Sequence, residues 1–163
     1  MKKISRYILV VTLLAGYYSA GAQRNIAEAT IAYDMTFQTG NGAPLTGATT
    51  TVFLKGNNSR TDMVSALGKE VTIFNSKSGN AVIIKEFSGQ KLMITLTKDN
   101  WKTKNKMYTD VKFELTDEYK IIGTYKTRKA IAKMPDGKSF EVYYAPDLVP
   151  SNKDYDATFT NLP

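Results

Sequence analysis

The chain contains neither cysteine nor histidine. Without thiols there is no disulfide framework, no thiol redox centre and no cysteine for a lipid anchor behind a leader. Without imidazole there is no Ser-His-Asp or Cys-His arrangement and no histidine-ligated zinc, and the commonest acid/base group near neutral pH is missing. Gly68-Lys69-Glu70 lacks the upstream glycine and the adjacent hydroxyl of a phosphate-binding loop. Long apolar runs are scarce too: Ile8 to Leu14 falls well short of the roughly 20 residues that cross a bilayer. The sequence carries no internal repeat and no low-complexity tract.

That short run has a meaning in context. Lys2, Lys3 and Arg6 precede it and Ala20-Gly21-Ala22 follows, so residues 1–22 read as a secretory signal peptide cut after Ala22. Residues 23–163 then form one domain, within the usual size of roughly 100 to 150 residues. The whole chain has 22 Lys and Arg against 15 Asp and Glu, a net +7; three of the cations sit in the leader, leaving 19 against 15, or +4. The expected product is soluble in a bacterial periplasm or secreted, with no transmembrane span in the mature chain. The MKK opening and the lack of disulfides favour that setting over a eukaryotic one, in which Asn57-Asn58-Ser59 would be a glycosylation acceptor.

From Thr30 onward the dominant period is two. Ile31, Tyr33, Met35 and Phe37 alternate with polar or small residues, and the pattern returns at Leu92, Ile94, Leu96, at Val111, Phe113, Leu115 and at Phe140, Val142, Tyr144. Turn residues separate the runs: Gly56-Asn57-Asn58, Ser76 to Asn80, Ser88-Gly89-Gln90 and Pro135-Asp136-Gly137. The expected fold is mainly β (α+β): a single curved antiparallel sheet or half-barrel, with one or two short helices covering one face. Thr97 predicts an N-cap for a helix over Lys98 to Met107. Leu115 to Gly123 reads as a helical turn or a link between strands, and Gln38 to Ala48 as a loop.

Carboxylate chemistry remains open to a chain without histidine, because paired acids suffice for glycoside hydrolysis. The candidates are Asp62, Glu70, Glu86, Glu114, Asp117 and Glu118. Asn152, Asp154 and Asp156 start with calcium-loop spacing, but Ala157 and Pro163 stand where that loop needs Gly and Glu. No metal or cofactor is therefore expected. Bases interleave with aromatics at Lys98, Trp101, Lys102, Lys104, Lys106, Tyr108 and again at Tyr119, Lys120, Tyr125, Lys126, Arg128, Lys129. In an exported protein this pattern points away from nucleic acid, to a solvated face or to a rim that meets anionic groups of envelope lipids or glycans.

Val52 to Met63 (VFLKGNNSRTDM) following an N-terminal strand resembles the LolA-like group of bacterial envelope proteins, which implies an antiparallel half-barrel partly covered by helices. Gly123 to Pro150 and the closing FTNLP resemble the GLPGLI family of secreted proteins of unknown function. Tyr125, Lys129, Ala130, Tyr144, Pro146 and Leu162-Pro163 match its pattern, while Thr127 stands where that family has a Cys. Pro163 falls where a Gly and a further strand would follow, so truncation there is part of this expectation.

The resulting functional expectation is a non-enzymatic protein that binds a lipid or other hydrophobic ligand on the concave sheet face. Tyr33, Met35, Phe37, Leu54, Ile94, Leu96 and Val142 are expected to line the site, with Trp101 covering it. An envelope protein-interaction module, using a sheet edge or the aromatics at Tyr143 and Tyr144, is the alternative. A carboxylate-based glycan hydrolase is the second alternative.

Overall fold

The computed structural model describes residues 24–38 and 44–162; the expected signal peptide lies outside them. After a short β1 (Arg24–Ile26), six strands follow as an antiparallel meander in chain order. These are β2 (Glu28–Gln38), β3 (Pro44–Lys55), β4 (Asn58–Ser65), β5 (Gly68–Asn75), β6 (Ala81–Phe87) and β7 (Gln90–Leu96). Their turns follow from local chemistry. Ser88 and Gly89 both take positive φ (49° and 77°) between β6 and β7, the signature of the type I′ turn that matches the twist of paired strands.

Strand register sorts the side chains into two faces. One row runs Ile31, Val52, Thr61, Thr72, Ile83, Ile94 across all six strands, and the next runs Ala29, Leu54, Ser59, Phe74, Ala81, Leu96. Val52, Leu54, Phe74, Ala81 and Ile83 in these rows are buried, so this is the inner face. The opposite face carries Phe53, Arg60, Ile73 and Val82 in register and is largely exposed.

Part of the inner face is closed by α1 (Lys98–Lys104), which is followed by α2 (Lys106–Thr109). The Thr97 side chain accepts the Asn100 N–H and caps α1, as the sequence predicts. Trp101 then stacks on Phe74, with ring centroids 5.0 Å apart and planes 20° from parallel. Just past α2, Val111 is among the most deeply buried side chains.

Three strands make a second antiparallel sheet: β8 (Lys112–Ile122), β9 (Tyr125–Lys133) and β10 (Ser139–Tyr144), in the order β10-β9-β8. The Pro135-Asp136-Gly137 turn joins β9 to β10, closed by the Met134 N–H to the Lys138 carbonyl at 2.8 Å. Finally β11 (Leu148–Pro150) pairs in parallel with β1 and leads into a 3-10 turn at Lys153–Tyr155.

Among the described residues the chain is thus mainly β, with two antiparallel sheets, a two-stranded parallel one and two short helices, and none of the sheets closes into a barrel. Two local expectations change. Leu115 to Ile122 is neither a helical turn nor a simple link but most of β8, with a register shift between Leu115 and Tyr119, and Gly123 stands in the turn that follows. The shifted residues stay attached because Arg128 Nε donates to the Thr116 carbonyl at 2.6 Å and Thr116 Oγ1 donates to the Lys129 carbonyl at 3.1 Å. The expected Gln38 to Ala48 loop shrinks as well: β3 begins at Pro44, and a register shift opposite Met35 and Phe37 absorbs the irregularity. Residues 39–43 lie outside the described ones.

Candidate ligand cavity

A cavity of about 910 Å³ opens between the β2–β4 part of the inner face and the C-terminal third of the chain. Its size falls in the range of roughly 300–1,000 Å³ typical of small-molecule sites. Alternation along β2 and β3 supplies Ile31, Tyr33, Met35, Thr50, Val52 and Leu54, and β4 adds Thr61. The rest of the wall comes from Ile122, Tyr125 and Thr127 of the β8–β9 hairpin, from Val142 to Ala145, and from Leu148, Val149, Tyr155, Phe159 and Leu162. Short threonines on the sheet face leave the space unfilled. The roof stays in place because the Ser151 N–H donates to the Ile26 carbonyl at 2.9 Å, across 125 residues of chain.

The polar groups in this wall are mainly hydroxyls, from tyrosines and from Thr30, Thr50, Thr61 and Thr127. Tyr33, Tyr125, Tyr144 and Tyr155 bring phenols, Tyr143 lines the wall while its hydroxyl donates to Glu118 outside it, and only Asp34, Lys153 and Asp156 bring charge. Burial pushes the Tyr155 phenol up to about 12, helped by Tyr33 and by the Asp156 carboxylate. Burial also raises Tyr33, again with Asp156 adding to it, even though 47% of Tyr33 remains exposed. Among the described residues neither phenol meets a hydrogen-bond partner. Both are protonated at physiological pH and are free to donate.

The same shifts predict alkaline sensitivity. Tyrosine in the unfolded chain titrates near 10, so the raised Tyr33 and Tyr155 keep their protons longer when folded. Their contribution is complete below about pH 10 and is lost as pH rises above it, for Tyr155 toward about 12. Lys129 adds in the same direction: hydrogen bonds to Glu141 and then Glu118 hold its ammonium up to about 12. Urea midpoints should therefore fall steeply above about pH 10, and Tyr155→Phe should flatten that fall. An unchanged slope in the variant would show that the buried phenol is not responsible.

The structure sorts the expected site residues into groups. Tyr33, Met35, Leu54 and Val142 line the one cavity. Phe37 lies on β2, with its side chain outside the described ones. Ile94, Leu96 and Trp101 do not line the cavity: Ile94 and Leu96 share the inner face but lie on β7, across the meander, and Trp101 covers Phe74. Tyr143 and Tyr144, expected as an aromatic docking face, are half-buried and turn up in the cavity wall. Sequence reasoning missed Tyr155, Phe159 and Leu162; their only local signal is apolar spacing near the C-terminus, and nothing local places them against β2.

Neither leading acid candidate belongs to this cavity. Glu86 on β6 pairs with Lys91 at 3.7 Å, and Glu114 on β8, in the other sheet, pairs with Lys133 at 2.5 Å. Glu118 is held below the usual carboxylate range by the Tyr143 hydroxyl, which donates to it, and by Lys129. A second, more open groove of about 620 Å³ lies at the Val64 to Lys69 and Glu86 to Gly89 hairpin ends. We place the site in the larger cavity because its wall is apolar and is built from segments distant in sequence.

Fold and cavity together define a β-sheet protein with an apolar pocket bearing phenol donors. No family model, curated protein or solved structure matches the chain.

Proposed function

We propose that the protein is a non-enzymatic binding protein of the bacterial envelope that holds an uncharged, lipid-like molecule in the cavity between β2–β4 and the C-terminal segment. The supporting observation is the wall itself: apolar side chains from all three sheets surround Tyr33 and Tyr155, whose hydroxyls have no partner among the described residues. Two carboxylates against one lysine make a poor setting for a fatty-acid carboxylate. An ester, amide or hydroxyl group, which accepts from a phenol without bringing charge, suits it better. The resemblance to LolA-like envelope proteins points the same way.

Solvent extraction of the purified protein followed by mass spectrometry should recover such a molecule, and the apolar dye N-phenylnaphthylamine should compete for the site. Thr61→Trp puts bulk into the cavity from the sheet side and should weaken dye binding at least about tenfold, or ~1.4 kcal/mol. Failure to bind the dye, or equal binding by the variant, would refute the reading.

A second reading, a protein-interaction module, is favoured by the outer sheet face, where Phe53 and Met93 are 41% and 68% exposed. If that face were the functional one, Phe53→Ser with Met93→Ser would abolish recovery of an envelope partner by crosslinking and leave dye binding intact.

A further inference from the structure

We propose that the tip of the β8–β9 hairpin docks the protein on an anionic lipid bilayer. Ile121 and Ile122 stand at the tip beside the Gly123-Thr124 turn, 65% and 46% exposed, and Tyr125 follows at 51%. Directly behind them Lys120 and Lys126 are exposed, and neither makes an ion pair among the described residues. Each is instead held over an aromatic ring: the Lys126 ammonium is 4.6 Å from the Tyr119 centroid and that of Lys120 is 5.5 Å from Tyr143. An apolar tip with aromatic and lysine residues one step back is the arrangement that the headgroup layer of a membrane accommodates.

Other hairpin ends of the molecule differ in one decisive respect. Leu67 and Phe87 are also well exposed, at 65% and 61%, but the lysines beside them, Lys69 and Lys91, are paired with Asp62 and Glu86. At the β8–β9 tip Lys126 and Lys120 make no salt bridge among the described residues; the nearby Glu118 carboxylate, which feels Lys120, is already held by Tyr143 and Lys129, so both ammonium groups can still meet an external anion. An anionic bilayer is the occupant that satisfies both halves of this surface, because it offers hydrocarbon for the isoleucines and phosphate for the lysines in one layer. Ile122 and Tyr125 also belong to the cavity wall. Docking by the tip would therefore bring the cavity to the lipid surface, and only this last step rests on the ligand reading above.

Co-sedimentation of the mature protein with vesicles tests the proposal. Binding is expected to vesicles of phosphatidylcholine mixed with phosphatidylglycerol, to weaken as sodium chloride is raised, and to be slight on phosphatidylcholine alone. The Lys120→Gln/Lys126→Gln variant should bind the mixed vesicles about 25-fold more weakly, and Ile121→Ser/Ile122→Ser at least about tenfold more weakly. Leu67→Ser/Phe87→Ser should bind as the parent does. These side chains are exposed, and an unchanged thermal midpoint in each variant confirms an intact fold. The proposal is overturned if the parent does not bind mixed vesicles, if the hairpin variants bind like the parent, or if the Leu67/Phe87 variant loses as much. It is also overturned if the hairpin substitutions abolish self-association in sedimentation velocity, since a second copy of the chain would then be the occupant. Thr61→Trp should leave vesicle binding unchanged, which separates failure of docking from failure of the cavity reading.

Discussion

Phe74→Ala should lower folding stability by about 3–5 kcal/mol, the range for truncating a buried aromatic side chain. Phe74 is 6% exposed, lies in the inner-face row with Leu54, Ser59, Ala81 and Leu96, and supports the stacked ring of Trp101. Truncation removes its own burial, leaves a void that a paired sheet cannot collapse to fill, and takes away the surface on which α1 rests. The ring pair alone is worth about 0.5–1.5 kcal/mol beyond area. Trp101 is the one tryptophan of the chain, so its emission reports on this contact directly. A red-shifted spectrum in the native variant, with a lower urea midpoint, is the expected result. A loss below about 1 kcal/mol would show that α1 does not depend on the stack.

Gly68→Ala should cost about 3 kcal/mol or more, from two separate terms. Gly68 has φ of +145°, a region that side chains rarely adopt, and a Cβ there would sit 2.2 Å from the backbone carbonyl oxygen of Glu86. The conformation accounts for about 1–3 kcal/mol. The clash adds to it, because the obstacle is the backbone of β6 and relief requires that strand to move beside the Lys69–Glu86 register pair. Gly89 offers the control: its φ is +77°, but a Cβ there would meet nothing within 4 Å. Gly89→Ala should therefore cost only about 1–2 kcal/mol, the usual left-handed penalty. Chemical denaturation of both variants, with hydrogen exchange along β5 and β6, reads the difference. Equal losses would show that the close approach at Glu86 has no energetic consequence.

Local chemistry explains why so much of the fold is legible in the chain. Period-two alternation needs only neighbouring residues, so Ile31, Tyr33 and Met35 declare one face of β2 without any knowledge of what covers it. The Ser88-Gly89 turn and the Thr97 cap are likewise satisfied within a few residues. Alternation, however, assigns a face and not a place on it. Ile94 shares a register row with Ile31 but is five strands away, about 24 Å at ~4.8 Å per strand. That is why Tyr33, Met35 and Leu54 reach the cavity while Ile94 and Leu96 do not. The β8 register shift was hidden for a related reason: the groups that hold it, Arg128 and Lys129, belong to the next strand.

By itself the sequence determined the β class, the positions of most turns, the capped helix, the apolar side of strands such as β2 and β7, and the chemistry excluded by having no Cys or His. These depend on propensity, periodicity and composition, which act over a few residues. Tertiary structure alone decided that the strands divide among three sheets and that the last residues return to β1. It also decided that Tyr155, Phe159 and Leu162 face Tyr33 and Val52 across one cavity. The physical reason is distance along the chain: the contact between Ser151 and Ile26 that fixes this wall spans 125 residues, and no local preference encodes a partner so remote.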